Sequence, residues 1–477
     1  TRFGRRKFLG YGAAATGSSL FLKACAPDLT ALDQPVDEAF ETLSEDTQVV
    51  LDTQPGEVAE KIAAAPNSET DTNEANANPL KVGLLHSLSG PLAISEAPLV
   101  EAERLAIEDI NAAGGLLGRQ IVPVVEDGAS DWPTFAEKAE KLLTQHQVDV
   151  IFGGFTTASR KAILPVITAK RRLLWYPGTY EGQACSQYIF YGGAIANQQV
   201  EPAVKWMLAN RGKSFFLVSA NDRATHVIAK SVLKEKGGKV AGEAFVPLEK
   251  GRNLDLAPVV SDIKQALPEG GIILSGLVGA QNRAFFKALK SAGLSKYDYL
   301  VMSLRVSEEE VAQIGKSFVQ GHYATWPYFQ TIETPDNEKW VERFKDKYGF
   351  DRVVGGPVET AYSMVHLWAQ AVRQAQSLDT SPVRAAAYGQ TFQAPSGQMT
   401  MNPNHHVTRQ MYIGQVRDDG LFDILWRSPG AIAPTPWNKR LSGSATLGCD
   451  WRDPEKGEQY EIETATTTDA IDNDIDD

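Results

Sequence analysis

Residues 148–182 read VDVIFGGFTTASRKAILPVITAKRRLLWYPGTYEG, and this stretch decides how the rest of the chain folds. An apolar run at 148–152 ends in Gly153-Gly154, and a second at 173–176 runs into a loop holding Tyr176, Tyr180 and Glu181. Short apolar runs bounded by turn residues mark strands buried on both faces of a parallel sheet. The residues between them predict a helix of roughly three turns. In such a sheet ligands sit outside the carboxyl ends of the strands. The polar threshold of Thr156, Thr157 and Ser159 therefore shares one rim with the tyrosine loop. Thr157 has two readings. Its hydroxyl caps the helix, or it faces a crevice where free helix N–H groups and two tyrosines suit a small polar solute.

Working outward, the chain has 477 residues, 43% hydrophobic and 22% charged, enough to bury more than one core. Two lobes are expected. A net charge of −12 argues against nucleic acid as a partner, because phosphate binding needs clustered Lys and Arg. No internal apolar run approaches the ~20 residues of a membrane-spanning helix.

The first 25 residues look like an address. GRRKFLG, with Arg5 and Arg6, is similar to a twin-arginine export motif, and a weakly apolar stretch then ends in LKAC. That ending resembles a lipoprotein cleavage site, with Cys25 as the lipidated residue. Residues 26–78 are acidic and rich in Ala, Asn, Thr, Pro and Glu, a composition that reads as a disordered tether. Cys185 and Cys449 remain, and spacing alone leaves open whether they pair. No Cys/His spacing suggests a metal site, and His405-His406 read as a surface loop.

From residue 79 the chain alternates strand and helix, predicting an α/β protein. Strands are expected over 82–86, 121–125 and 189–191 in one lobe, and over 214–218, 239–245, 272–275 and 299–302 in another. Pro98 is read as opening the first helix, with Leu99, Ala102, Ala106 and Ile110 on one face. Asp131 and Pro133 mark another start, and Arg223–Lys236 is a helix stopped by Gly237-Gly238. Ser307 and Glu310 have capping-box spacing. In MTMNPNHHVTRQMYIGQVRDDGLFDILW a β-hairpin is expected, turning at Asp418–Gly420. Residues 438–477 read as a polar, acidic, disordered tail.

The order FGGFTTASRKAILP, LLWYPGTYEG, IFYGGAIANQQ resembles the urea- and short-chain-amide-binding proteins that serve ABC importers. So do KVGLLHSLSGPLAISE, VEDGASDWPTFAEKAEKLL and GHYATWPYFQTI, and the likeness covers most of residues 81–436. It implies the type I periplasmic binding protein fold, two doubly wound Rossmann-like lobes joined by a multi-crossover hinge. On that topology, lobe 1 takes residues 79–198 and 329–395, and lobe 2 takes 199–328 and 396–437. GHYATWPYFQT would supply a first-lobe strand, the hairpin would return to the second lobe, and the lobes would close on a ligand. The implied role is a periplasmic receptor, lipid-anchored and exported by the twin-arginine route. It would pass urea or a short amide to permease subunits and their ATPases, with no cofactor.

By motif position the resemblance places Phe155, Thr156, Thr157, Tyr176, Gly178, Tyr180 and Glu181 at the ligand, and Ser87 presents a hydroxyl to the same rim. Three departures bear on the solute. VSANDRATH replaces a Gly-Ser-Asp-Tyr run, removing a covering tyrosine and leaving Asn221 or Asp222 in its place. Gly178 stands where amide-binding members can carry a hydroxyl, and Arg305 stands where relatives are small or neutral. Arg305 either pairs with Glu308 or Asp222, or receives a ligand carboxylate, which would move the solute toward an amino acid or another small anion.

Catalysis has little to build on. There is no G-x-S-x-G elbow, no phosphate loop and no G-x-G-x-x-G after the first strand. Ser159-Arg160-Lys161 is read as a helix start with both basic residues facing solvent. An amide-sensing regulator of the same fold is the reading from another class. It needs neither the arginine pair nor a lipidated Cys25.

Overall fold

The computed structural model describes residues 78–248 and 254–453. The export motif, Cys25, the tether and the aspartate-rich end lie outside them. β1 (Leu80–His86), β2 (Ile121–Asp127), β3 (Val150–Gly153), β4 (Leu174–Tyr176) and β5 (Ile189–Tyr191) form one sheet in the order β2-β1-β3-β4-β5. Every pairing in it is parallel. β3, β4 and β5 are buried at every position, which is why they read as unbroken apolar runs.

The helices Ala93–Ala112, Trp132–Thr144 and Thr157–Lys170 connect these strands. Pro98 lies inside the first of them. The start is set earlier, by turn bonds from Ala93 N–H to Gly90 and from Glu96 N–H to Leu92. A proline near the helix start removes only one interior bond, and Leu99, Ala102, Ala106 and Ile110 remain buried.

β6 (Ser214–Ser219), β7 (Lys239–Phe245), β8 (Gly271–Gly276), β9 (Tyr299–Ser303) and β10 (Tyr323–Trp326) belong to a second lobe. A small sheet of β11 (Thr391–Ala394), β12 (Gly397–Met401) and β13 (Val407–Thr408) follows in sequence. β14 (Tyr412–Val416) and β15 (Phe422–Arg427) then complete the second sheet, ordered β15-β14-β10-β9-β8-β6-β7. The expected first-lobe strand in GHYATWPYFQT is therefore corrected. β10 lies between parallel β9 and antiparallel β14, buried throughout, and the chain leaves the second lobe only after it.

The stretch read as one hairpin also divides. Only β14 and β15 turn at Asp418–Gly420 within the second sheet. Met399, Met401 and Val407 pack in the first-lobe core with Leu80, Phe152 and Trp368 of the helix Gly356–Ala375. The Ser307–Glu310 capping box does not form. Ser307 donates to Glu309 at 2.7 Å, and Glu310 turns across to Ser95 and to Asn282.

Residues 438–453 are not a solvated tail. Trp437, Leu441 and Trp451 are buried, and Cys449 forms a disulfide with Cys185. His405 and His406 are likewise buried rather than on a surface loop, stacked on Phe190 and Tyr191. Flat rings exclude water from one another's faces, and this pairing of two sequence neighbours with two strand neighbours is long-range.

Candidate ligand cleft between the lobes

A cavity of about 410 Å³ lies where the carboxyl ends of both sheets face each other. From the first lobe it is lined by Trp132, Phe155, Thr156, Thr157, Thr179 and Glu181. Across it stand Asn221, Asp222, Val278 and Arg305 of the second lobe. Phe155, Thr156, Thr157, Glu181, Asn221, Asp222 and Arg305 are thus brought together, and Ser87, Tyr176, Gly178 and Tyr180 are not among the lining residues.

The local fold explains this partition. Thr156, not Thr157, caps the helix Thr157–Lys170: its hydroxyl accepts from Ser159 N–H at 3.1 Å, and Ser159 Oγ accepts from Thr156 N–H. That leaves the Thr157 hydroxyl to donate to Glu181 Oε2 at 2.7 Å. Glu181 therefore presents a carboxylate already oriented by a neighbour.

On the second lobe, Asp222 caps the helix Arg223–Lys236, accepting from Thr225 N–H at 2.9 Å and Thr225 Oγ1 at 2.6 Å. Burial, with Glu181 nearby, raises the Asp222 carboxyl to about 6. Arg305 donates to Thr179 Oγ1 across the cleft and holds Nη2 at 4.0 Å from Asp222. Of its two expected partners, Asp222 is the one it meets. Glu308 instead accepts from Gln330 N–H at 2.7 Å.

The residues left out are structural in this conformation. Ser87 is fully buried, its hydroxyl accepting from Ser130 N–H at 3.1 Å. Tyr176 donates to Phe155 O at 2.7 Å. At Gly178 a Cβ would stand 2.4 Å from Phe155 O and 2.6 Å from the Tyr176 hydroxyl, so the close approach requires glycine. Tyr180 pairs with His406 Nε2 at 2.5 Å. His406 Nδ1 lies 2.6 Å from Asn404 O, so that nitrogen carries the proton and Nε2 accepts from the phenol. Burial pushes His406 down to about 3, which keeps that tautomer neutral.

The two tyrosines wall in a cation. Arg160, read as facing solvent, is 3% exposed. Its guanidinium lies 4.1 Å from the Tyr180 ring centre, 5.1 Å from Tyr176 and 5.8 Å from Tyr191. Its Nη1 donates to Thr157 Oγ1 at 3.3 Å. A relay thus runs from the caged Arg160 through Thr157 to Glu181 at the cleft wall.

Thr179 and Trp132 line the cleft but were not singled out from the sequence, and Lys161, exposed as expected, stands at its edge. Thr179 sits between Gly178 and Tyr180, and its place on the loop after the carboxyl end of β4 was the available signal. Among the described residues, no His or Cys lines the cleft.

The family model described as periplasmic binding protein domain matches residues 80–443. The chain belongs to this family. Over 335 residues it is 26% identical to the leucine-, isoleucine-, valine-, threonine- and alanine-binding protein of Pseudomonas aeruginosa, covering 68% of this chain and 86% of that one. A local match, 35% over 123 residues, is to a protein named limonene hydroxylase from Geobacillus stearothermophilus and spans only 23% of that protein's length.

Among solved structures, a solute-binding protein of an ABC transporter from Rhodopseudomonas palustris, in complex with 3,4-dihydroxybenzoic acid, superposes with a TM-score of 0.66 at 19% identity. That match covers 75% of this chain and 99% of the other. A branched-chain amino acid transporter substrate-binding protein from Streptococcus pneumoniae, with isoleucine, gives 0.64 at 20% identity, covering 75% and 100%. Both superpose on this chain's α/β fold of mainly parallel sheets and interleaved helices. Among the described residues no helix is long and apolar enough to cross a membrane.

Proposed function

We propose that this receptor captures an amino acid or a similarly small zwitterion in the interlobe cleft and delivers it to an ABC permease. The observation that carries this reading is the charge arrangement: Arg305 and the carboxylates of Asp222 and Glu181 all line one cavity. A ligand carboxylate would take the guanidinium fork, and an ammonium would sit toward Glu181 and Asp222. Relatives whose names or bound molecules are amino acids and benzoates are consistent with a carboxylate-bearing solute. The match to a family of periplasmic binding proteins supports reading it as a receptor.

Urea or a short-chain amide is the second reading. The Thr157–Glu181 pair favours it, since a carboxylate and a hydroxyl suit N–H donors. Against it, Tyr176 and Tyr180 are turned away, and urea has only four non-hydrogen atoms to occupy about 410 Å³. A thermal-shift panel of amino acids, small carboxylates, urea and short amides tests the choice, because a true ligand stabilises the form that binds it. Stabilisation by urea alone would reverse the order of the two readings.

The reading includes export and anchoring through Arg5, Arg6 and Cys25. Arg5→Lys with Arg6→Lys should block export, and Cys25→Ala should release a soluble protein. Unchanged fractionation of both variants would remove the address and favour a sensing role.

A further inference from the structure

We propose that a second cavity, at the end of the first lobe away from the cleft, binds a tetrahedral oxyanion of the phosphate class. It measures about 460 Å³, and Lys170, Arg171, Arg172 and Arg384 line it with Thr380 and Ser381. Four cations on one cavity stand out on a chain whose net charge is −12.

Its place in the fold separates it from the solute site. Arg172 and Tyr188 lie just before β4 and β5, whereas the cleft loop with Thr179 and Glu181 follows the other end of β4. β1 runs parallel with these strands, so the chain also enters the lobe, at Leu80, from the end that carries the cavity.

The cations are unevenly compensated. Lys170 pairs with Glu140 at 2.8 Å, and Arg172 faces Asp149. Among the described residues, neither Arg171 nor Arg384 has a carboxylate in ion-pair range, although Asp379 also lines the cavity. Arg384 donates to Gln187 Oε1 at 2.7 Å, which leaves guanidinium N–H groups to spare.

The walls are joined. Arg171 ends the helix Thr157–Lys170 in a left-handed conformation, and its carbonyl accepts from Thr380 Oγ1 at 2.6 Å. Thr380 begins the helix Thr380–Ala387, where Asp379 makes no side-chain cap. The N–H groups of Thr380 and Ser381 therefore remain to support an anion beside the arginines, whereas Pro382 has none and Val383 gives its own to Asp379 O. Inorganic phosphate, a phosphate monoester or a phospholipid headgroup all present the required oxygens.

Calorimetry of the full chain with inorganic phosphate tests the site, alongside co-sedimentation with phosphatidylglycerol and phosphatidylcholine vesicles. Phosphate should bind in the millimolar range or tighter. The double variant Arg171→Ser, Arg384→Ser should weaken it by about tenfold or more with its melting temperature unchanged. Arg305→Ala should leave phosphate binding intact, which excludes the cleft as its seat. Retention on phosphatidylglycerol, lost in the double variant, assigns the site to a lipid headgroup; phosphate binding without such retention assigns it to a free anion. No phosphate binding, or binding the double variant keeps, overturns the proposal.

Discussion

Arg160 rests its guanidinium 4.1 Å from the centre of the Tyr180 ring, inside the first lobe and behind the cleft wall. The sequence points Tyr180 at a ligand and Arg160 at solvent, and instead the two hold each other. Arg160→Met keeps the volume and removes the charge. It should lower unfolding free energy by about 2 kcal/mol in urea denaturation, the scale of a desolvated cation–π contact. Arg160→Lys should recover little, because an ammonium cannot lie flat against the rings while donating to Thr157. Wild-type stability in the methionine variant would show that the cage contributes nothing.

Thr157 supplies the proton that orients Glu181. Thr157→Val retains the shape and deletes the donor. Affinity for the strongest hit of the thermal-shift panel should fall by about 1–3 kcal/mol, roughly tenfold to a hundredfold by calorimetry. An unchanged constant would take the Thr157–Glu181 pair out of the binding surface.

Arg305→Ala separates the ligand classes. A zwitterion or other carboxylate should lose most of its measurable binding, since it would lose the guanidinium fork and still face Asp222 and Glu181, with Lys161 and Arg223 left as the other cations of the lining. A neutral amide should bind with little change. Equal loss for both would mean that the Arg305–Thr179 bond matters for closing the cleft more than for reading charge.

Two buried groups should imprint opposite pH dependences on stability. Burial lowers His322 to about 4, and its Nδ1 must stay unprotonated to accept from Val301 N–H at 3.2 Å. The unfolded chain takes that proton below about pH 6.5 and the folded chain does not, so stability is lost from 6.5 toward 4. His322→Gln should therefore gain on wild type, in melting temperature, as pH falls through that window.

Burial raises Glu310 to about 8, where it meets Ser95 and Asn282. Folding favours its protonated form, so its contribution is full below about 4.5 and is lost as pH climbs through 8. Glu310→Gln should gain on wild type over 4.5 to 8. Parallel melting curves for either variant across its window would refute the assignment.

Much of the architecture was legible because it is local. Arg223–Lys236 and the following strand at 239–245 were read to the residue, since Gly237 terminates the helix in a left-handed cap and apolar runs mark the strands. The cleft threshold was legible for a similar reason: strand ends fix which loops meet. What sequence spacing could not give is direction and distant pairing. Tyr176 and Tyr180 sit on the right loop, yet their hydroxyls are taken by Phe155 and His406. His406 is 226 positions from Tyr180. The strand in GHYATWPYFQT was expected in the first lobe although the range 199–328 placed it in the second, because membership depends on its partners, β9 and β14, and not on its own residues.

The Cys185–Cys449 bond spans a sequence separation of 264, and the strands of the second sheet all lie between those two cysteines. The second lobe thus lies inside a covalently closed loop of chain, which also carries β5, the helix Gly356–Ala375 and β11–β13 of the first. A protease that cuts once inside it frees nothing: the halves stay tied, migrating together until a reductant parts them. Pulled from its two termini, the oxidised molecule transmits the load through the disulfide, and the second lobe hangs slack beside the line of force.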